Sequence, residues 1–189
     1  MNANKNIDKR IIKTKIAIKT ALVKLLEKKK VEEISIVELT NLASVNRKTF
    51  YLHYSDVDSV IKEIENDFFK KMEKIIRSYD FNLDKLDTYL YSITKAIVDD
   101  NYIHHIVTYT IYRRAIMLNV LKIINDHVNK NFNQNKTLNF QYILDYNMYG
   151  SVNLLYIWLL KDTSSKMSIE ELSALQARLI RNSFSDILN

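Results

Sequence analysis

The chain has 189 residues, enough for one domain or two small ones with a buried core. It contains no proline, no cysteine and one glycine, Gly150, which points to an all-helical chain and excludes disulfides and thiolate zinc sites. The net charge of +6 is localised: residues 1–55 hold 12 Lys and Arg against 5 Asp and Glu, and the remainder holds 16 against 17. A surface that neutralises phosphates predicts this asymmetry, whereas a generally basic protein would spread its charge.

The opening residues MNANKNIDKR lack the apolar core of a signal peptide. No apolar run approaches the ~20 residues of a membrane span, so a soluble cytoplasmic chain with no membrane partner is expected. Residues 7–28 read as the first helix, with Ile11, Ile18, Ala21, Leu22, Leu25 and Leu26 at three- and four-residue intervals. It ends in Lys28, Lys29 and Lys30, where cations suit the negative end of the dipole. Val31 and Ile34 are expected to tuck under the next helix.

Residues 35–54, SIVELTNLASVNRKTFYLHY, read as two short helices joined by a tight turn. Ser35 and Glu38 form a capping box that starts one helix at Ile36. Ile36, Leu39 and Ala43 then share a face, the chain bends around Ser44 and Val45, and Asn46 caps the second helix. Within it Phe50 and Tyr54 lie on one stripe, with Arg47, Lys48, Thr49 and His53 off it. A helix-turn-helix has this form: the first helix braces, and the second offers its N-terminal side chains to base edges in a major groove. Arginine and lysine donate to guanine, and threonine touches a thymine methyl. An ordinary polar helix pair on a surface is the plainer alternative.

Together with the preceding helix, these residues resemble the TetR-type (TetR/AcrR) transcriptional regulators. The resemblance spans about residues 10–62, through Ala21, Leu22, Leu25 and Leu26, Ser35-Ile36, Leu39, Ala43, Val45-Asn46-Arg47, Thr49-Phe50-Tyr51, His53-Tyr54 and Val60-Ile61. It implies that Arg47, Lys48 and Thr49 face bases while Tyr51, His53 and Ser35 hold phosphates, with Asn46 at the head of the reading helix. Four positions depart from the family's pattern: Ser44 replaces the turn glycine, Lys48 a small residue and Val57 a lysine, and Val37 offers no hydrogen bond. The bases read are therefore not inherited.

Ser55 and Asp58 form a second capping box, opening a helix to about residue 79 on Val57, Val60, Ile61, Ile64, Phe68, Met72, Ile75 and Ile76. At ~1.5 Å per residue it is a rod of roughly 35 Å, long enough to serve as a lever between the reading unit and the C-terminal helices. A break at 78–82 precedes helices near 84–99, 102–110, 112–131, 139–161 and 169–187, the last capped by Ser168 and Glu171. Residues 131–138 read as a loop. The expected architecture is all-α with about nine helices: a three-helix helix-turn-helix domain over 1–55 and a helical dimerisation and effector domain over 56–189.

Residues 152–160, VNLLYIWLL, are apolar on every side except at Asn153. Such a helix is buried on both faces, either inside a monomer or between its own core and a second subunit. Tyr146, Gly150 and Trp158 are spaced as in the Gram-positive branch of the family, whose last two helices pair with their symmetry mates in a four-helix bundle. The resemblance thus implies a homodimer interface drawn from Tyr146, Tyr149, Val152, Leu155, Leu159 and Leu179. Ten tyrosines between 79 and 158, Tyr79, Tyr89 and Tyr112 among them, suit a core rim or the lining of a pocket. Members of the family often bind a small effector in this half, and some answer to a protein partner.

The only metal-like cluster is His104, His105 and His127 with Asp99, Asp100 and Asp126. Adjacent histidines point to different helix faces, no E-x-x-H pair occurs, and no phosphate loop or activated nucleophile is present. No metal, cofactor or catalytic role is expected. The sequence therefore reads as a homodimeric regulator, a repressor on a palindromic double-stranded DNA operator, released by an effector. The alternative is a helical protein-interaction module whose basic N-terminal unit binds an acidic protein.

Overall fold

The computed structural model describes residues 2–79, 82–110, 113–131, 138–161 and 163–188. Among the described residues there are nine α-helices and no strand, and no helix is long and apolar enough to cross a membrane. Tyr112, residues 80–81 of the expected break and 132–137 of the expected loop lie outside them. The chain parts into two compact units, Met1–Phe68 with Asp100–Arg113, and Phe69–Asp99 with Arg114–Asn189.

The first unit holds α1 (Asn2–Leu26), α2 (Ile36–Leu42), α3 (Arg47–Tyr51), the first half of α4 (Val57–Arg77) and α6 (Asn101–Tyr109). Helix α1 starts before and stops short of the expected 7–28, so the three lysines fall in the turn beyond it, followed by a 3₁₀ turn at Val31–Glu33. Ile18, Ala21, Leu22, Leu25 and Leu26 are buried as the periodicity requires, joined by Ile34, Leu39, Phe50, Tyr54, Val60 and Ile61. Helix α6, read from sequence as part of the second domain, packs on α1 instead. His105 Nε2 lies 2.8 Å from Glu27, and the hydroxyls of Thr20 and Tyr102 are 3.4 Å apart.

The cap of α4 is shifted by one residue from the expected pair. Asp56 Oδ1 accepts from the Ser59 amide at 2.7 Å and Ser59 Oγ accepts from the Asp56 amide at 3.3 Å. Ser55 donates to Asp56 instead of capping. Asp56-x-x-Ser59 and Ser55-x-x-Asp58 satisfy the same rule, and burial of Val57 as the first helical residue goes with the former.

The second unit holds the rest of α4, then α5 (Leu86–Val98), α7 (Arg113–Asn131), α8 (Leu138–Leu159) and α9 (Ile169–Leu188). Asn82 caps a 3₁₀ turn at Leu83–Lys85 that leads into α5. Arg181 of α9 donates to the carbonyls of Leu83 and Asp84 at 2.7 and 3.1 Å, tying α9 to that turn. His127 Nε2 lies 2.8 Å from the Tyr79 carbonyl. The expected capping box of α9 is present in both directions, Glu171 amide to Ser168 Oγ at 3.1 Å and Ser168 amide to Glu171 at 2.7 Å.

A polar cluster fastens α1 to α4 inside the first unit. Lys19, only 8% exposed, places Nζ 2.9 Å from Glu63 and 2.7 Å from Asp67, and Lys15 reaches Glu63 at 2.6 Å. Burial disfavours the charged form of Glu63, but the two lysines outweigh it and hold the carboxyl below its ordinary 4.5. Burial works against Lys19 as well, and its bonds to Asp67 and Glu63 raise it above its ordinary 10.5. Glu63 therefore contributes stability above pH 4.5 that is lost as pH falls through its lowered value. Lys19 contributes stability below 10.5 that is lost as pH rises through its raised one. Urea midpoints measured against pH should fall on both sides, and Glu63→Gln should make the acid limb shallower than in the parent protein.

Candidate nucleic-acid interface

Helices α2 and α3 are seven and five residues long, too short to persist alone. Local chemistry holds their ends. Ser35 Oγ accepts from the Glu38 amide at 3.2 Å. The Glu38 carboxylate does not return to the serine amide as the capping box requires; it accepts from Lys29 at 2.7 Å, an ion-paired partner. Thr40, buried, bonds the carbonyls of Ile36 and Val37 at 2.7 and 3.1 Å.

The turn closes α2 with the Val45 amide donating to the Thr40 carbonyl at 2.9 Å and the Ser44 amide to the Asn41 carbonyl at 3.1 Å. These are the paired bonds of a Schellman motif, which places one residue in the left-handed region. That residue is Ser44, with φ 54°, at the position where the resemblance led one to expect glycine. Asn46 Oδ1 then accepts from the Lys48 amide at 2.8 Å and starts α3.

Phe50 is fully buried and Tyr54 nearly so, their rings 5.6 Å apart. This anchoring face turns the opposite side of α3 outward. Asn46, Arg47 and Lys48 are exposed, Thr49 and His53 half-buried, and Tyr51 half-exposed with its ring edge-on to Phe50. Ser35 is exposed at the head of α2. Among the described residues Arg47 and Lys48 form no ion pair, unlike Lys15, Lys19 and Lys29. Asn46 keeps its amide N–H groups, and Ser35 its O–H, as donors. The site is thus a short cationic and hydroxyl-bearing ridge standing on a buried aromatic pair. Leu52, 79% exposed beside Tyr51, went unassigned at the level of sequence; its position two residues after Phe50 puts it off the buried stripe.

The expected interface residues of the C-terminal half divide by exposure. Tyr146, Tyr149 and Leu179 are exposed and Val152 is half-buried, whereas Leu155 and Leu159 are buried within the chain itself. Segment 152–160 is accordingly covered on one face, by its own unit. Tyr142, Tyr146, Tyr149 and Ile157 of α8, with Leu160 just past its end, make a bare apolar stripe interrupted at Asn153. Within their own units, His105 Nε2 lies 2.8 Å from Glu27 and His127 Nε2 2.8 Å from the Tyr79 carbonyl. Among the described residues no three His, Cys, Asp or Glu side chains converge on one point.

Replacing Ser44 by glycine should stabilise the chain by about 0.5–1 kcal/mol, the left-handed strain relieved less the entropy glycine costs. Asn46→Ala should cost about 1 kcal/mol through loss of the cap, and Asn46→Asp should retain it. Urea unfolding of the three variants checks both.

No family model matches the chain, and no curated protein does. Solved structures do resemble it. A TetR transcriptional regulator from Streptococcus agalactiae 2603V matches with a TM-score of 0.69 at 21% identity, over 94% of this chain and 98% of that one. The dihydroxyacetone kinase operon activator DhaS matches with a TM-score of 0.58 at 16% identity, over 89% and 94%. At these identities the likeness is one of architecture: this chain has the all-α fold of a TetR-type transcriptional regulator.

Proposed function

We propose that the chain is a sequence-specific DNA-binding transcriptional regulator of the TetR type, not an enzyme, acting as a homodimer. The observation that carries this reading is the ridge of exposed Arg47 and Lys48 with half-buried Thr49 beside them, held outward by the buried Phe50 and Tyr54. In a groove, Arg47 and Lys48 donate to guanine edges and Thr49 meets a thymine methyl, while Ser35, Tyr51 and His53 fix register on phosphates and Asn46 donates at the head of the helix. The all-α fold shared with a transcriptional regulator supports it.

The second copy is brought in by the α8 stripe together with Leu179 of α9. Aromatic and aliphatic side chains this exposed along one helical face, broken only at Asn153, are an unusual solvent face, and covering them against their own symmetry equivalents makes a closed pair. Two reading helices then engage half-sites about 34–36 Å apart, or a multiple of that, on a palindrome. Repression by occupancy of that operator, with release by a ligand of the second unit, completes the proposed cycle. The spacing of Tyr146, Gly150 and Trp158 supports membership of the Gram-positive branch.

Selection of bound sequences from random duplexes should return a palindrome, with affinity falling steeply on a log-log plot against salt. Equal weak binding to every duplex would instead favour an acidic protein partner for the basic unit. On the selected operator, Arg47→Ala should weaken binding by about 1–3 kcal/mol and relax preference at one base pair. Loss of the His53 ring should weaken all sequences alike; relaxed base preference on that change would reverse the assignment. Tyr146→Glu combined with Leu179→Glu should sediment as a monomer with undiminished helical circular dichroism, and a monomeric parent protein at micromolar concentration would overturn the dimer.

A further inference from the structure

The second unit contains a cavity of about 80 Å³ between α5, α7, α8 and α9. No Lys, Arg, Asp, Glu or His lines it; the wall is aliphatic and aromatic, with Met117 and Met148 as its adaptable members. Five lining residues are polar, and two of them stand out. Tyr89 and Gln176 are 6% and 3% exposed, and the Tyr89 hydroxyl and Gln176 Oε1 are buried without a hydrogen-bond partner. Gln176 Nε2 donates to the Ser151 carbonyl at 2.9 Å. That carbonyl can only accept, so the amide orientation is set and the orphan atom is an acceptor. Asn147, by contrast, is spent on Ile143 and Ser183 at 2.7 Å each.

Orphaned buried polar atoms are few in native interiors, and here two belong to residues that line one apolar cavity. Phenylalanine at 89 would fill similar space without an unmet bond, so packing does not call for the hydroxyl; at 176 the amide nitrogen is used on Ser151 and only Oε1 is left over. A single water needs roughly 10–15 Å³, and the cavity is several times larger. Burial pushes the Tyr89 phenol up, which keeps it an O–H donor. With no charged side chain on the wall, an ion entering would find no counter-charge to offset its lost hydration.

We propose that this cavity binds a small neutral molecule, chiefly hydrocarbon, that brings a donor to Gln176 Oε1 and an acceptor to the Tyr89 hydroxyl. One alcohol or phenol O–H is the smallest group supplying both. The proposal rests on the effector reading above and gives that effector its chemical class. An apolar cavity that accepts benzene has about 150 Å³, so this one, at about 80 Å³, takes one ring or one short alkyl chain through a shift of Met117 and Met148.

Thermal shift and calorimetric titration of the DNA-free protein with phenol, benzene, 1-pentanol, pentanoate and pentylammonium test it. Phenol or 1-pentanol should bind about tenfold tighter than benzene, and the two ions should leave the melting temperature unchanged. Tyr89→Phe, which deletes an unpartnered atom, should fold and lower the phenol-to-benzene ratio to below about threefold while benzene still binds; Gln176→Leu should do the same. Benzene binding as tightly as phenol, an ion binding best, or no compound binding would each overturn the proposal, as would a ratio unchanged in Tyr89→Phe. Operator binding assayed on the same preparation separates the two readings: an intact operator complex with no alcohol binding leaves the DNA reading standing, and the converse leaves the cavity proposal.

Discussion

The burial of Phe50 is the constraint on which the reading ridge depends. A five-residue helix has almost no stability of its own, and α3 is held by three things: the Asn46 cap, the turn bonds from Val45 and Ser44, and a ring with no solvent exposure. A helix fixed at one face has its opposite face fixed as well. Arg47 and Lys48 are therefore presented outward by a hydrophobic contact made on the other side of the backbone, and no electrostatic contact within the chain is needed to aim them.

Charge in the first unit is segregated along its helices more sharply than a count by sequence segment conveys. Residues 1–55 carry a surplus of seven cations, yet the compact unit holds 14 Lys and Arg against 11 Asp and Glu, because α4 and its cap contribute five carboxylates and Asp100 a sixth. Lys15 and Lys19 neutralise Glu63 and Asp67, and Lys29 neutralises Glu38. Part of the apparent phosphate-binding charge is internal scaffolding. The cations free of such pairing include the two at the head of α3.

Features set by a few neighbouring residues were legible in the sequence. Ser35 and Asn46 as caps, the reciprocal Ser168 and Glu171, and the buried stripes of α1 and α4 follow from local hydrogen-bonding chemistry and a 3.6-residue period. Features decided by distant partners were not. The cap of α4 moved because two overlapping motifs are locally equivalent. Glu38 turned to Lys29, nine residues away, and α6 joined the first unit through contacts some eighty residues apart in the chain. Leu155 and Leu159, apolar like their exposed neighbours Ile157 and Leu160, could not be sorted by hydropathy alone. Gln176 did leave a trace: it lies four residues after Leu172 and eight before Phe184, both buried, so it is a polar residue on the core stripe of α9.

Backbone freedom is distributed oddly in this chain. Its one glycine, Gly150, sits inside α8 with nothing within 4 Å of where a Cβ would project, while the single left-handed residue among those described is a serine. By steric rules alone the two identities are exchanged, and each choice leaves the isolated fold less stable than it could be. Proteins drift toward the minimum robustness their role demands. Two such concessions, each worth about 1 kcal/mol, stand in a chain with no proline to stiffen its connections, and anything that binds the folded form alone adds to its stability by mass action.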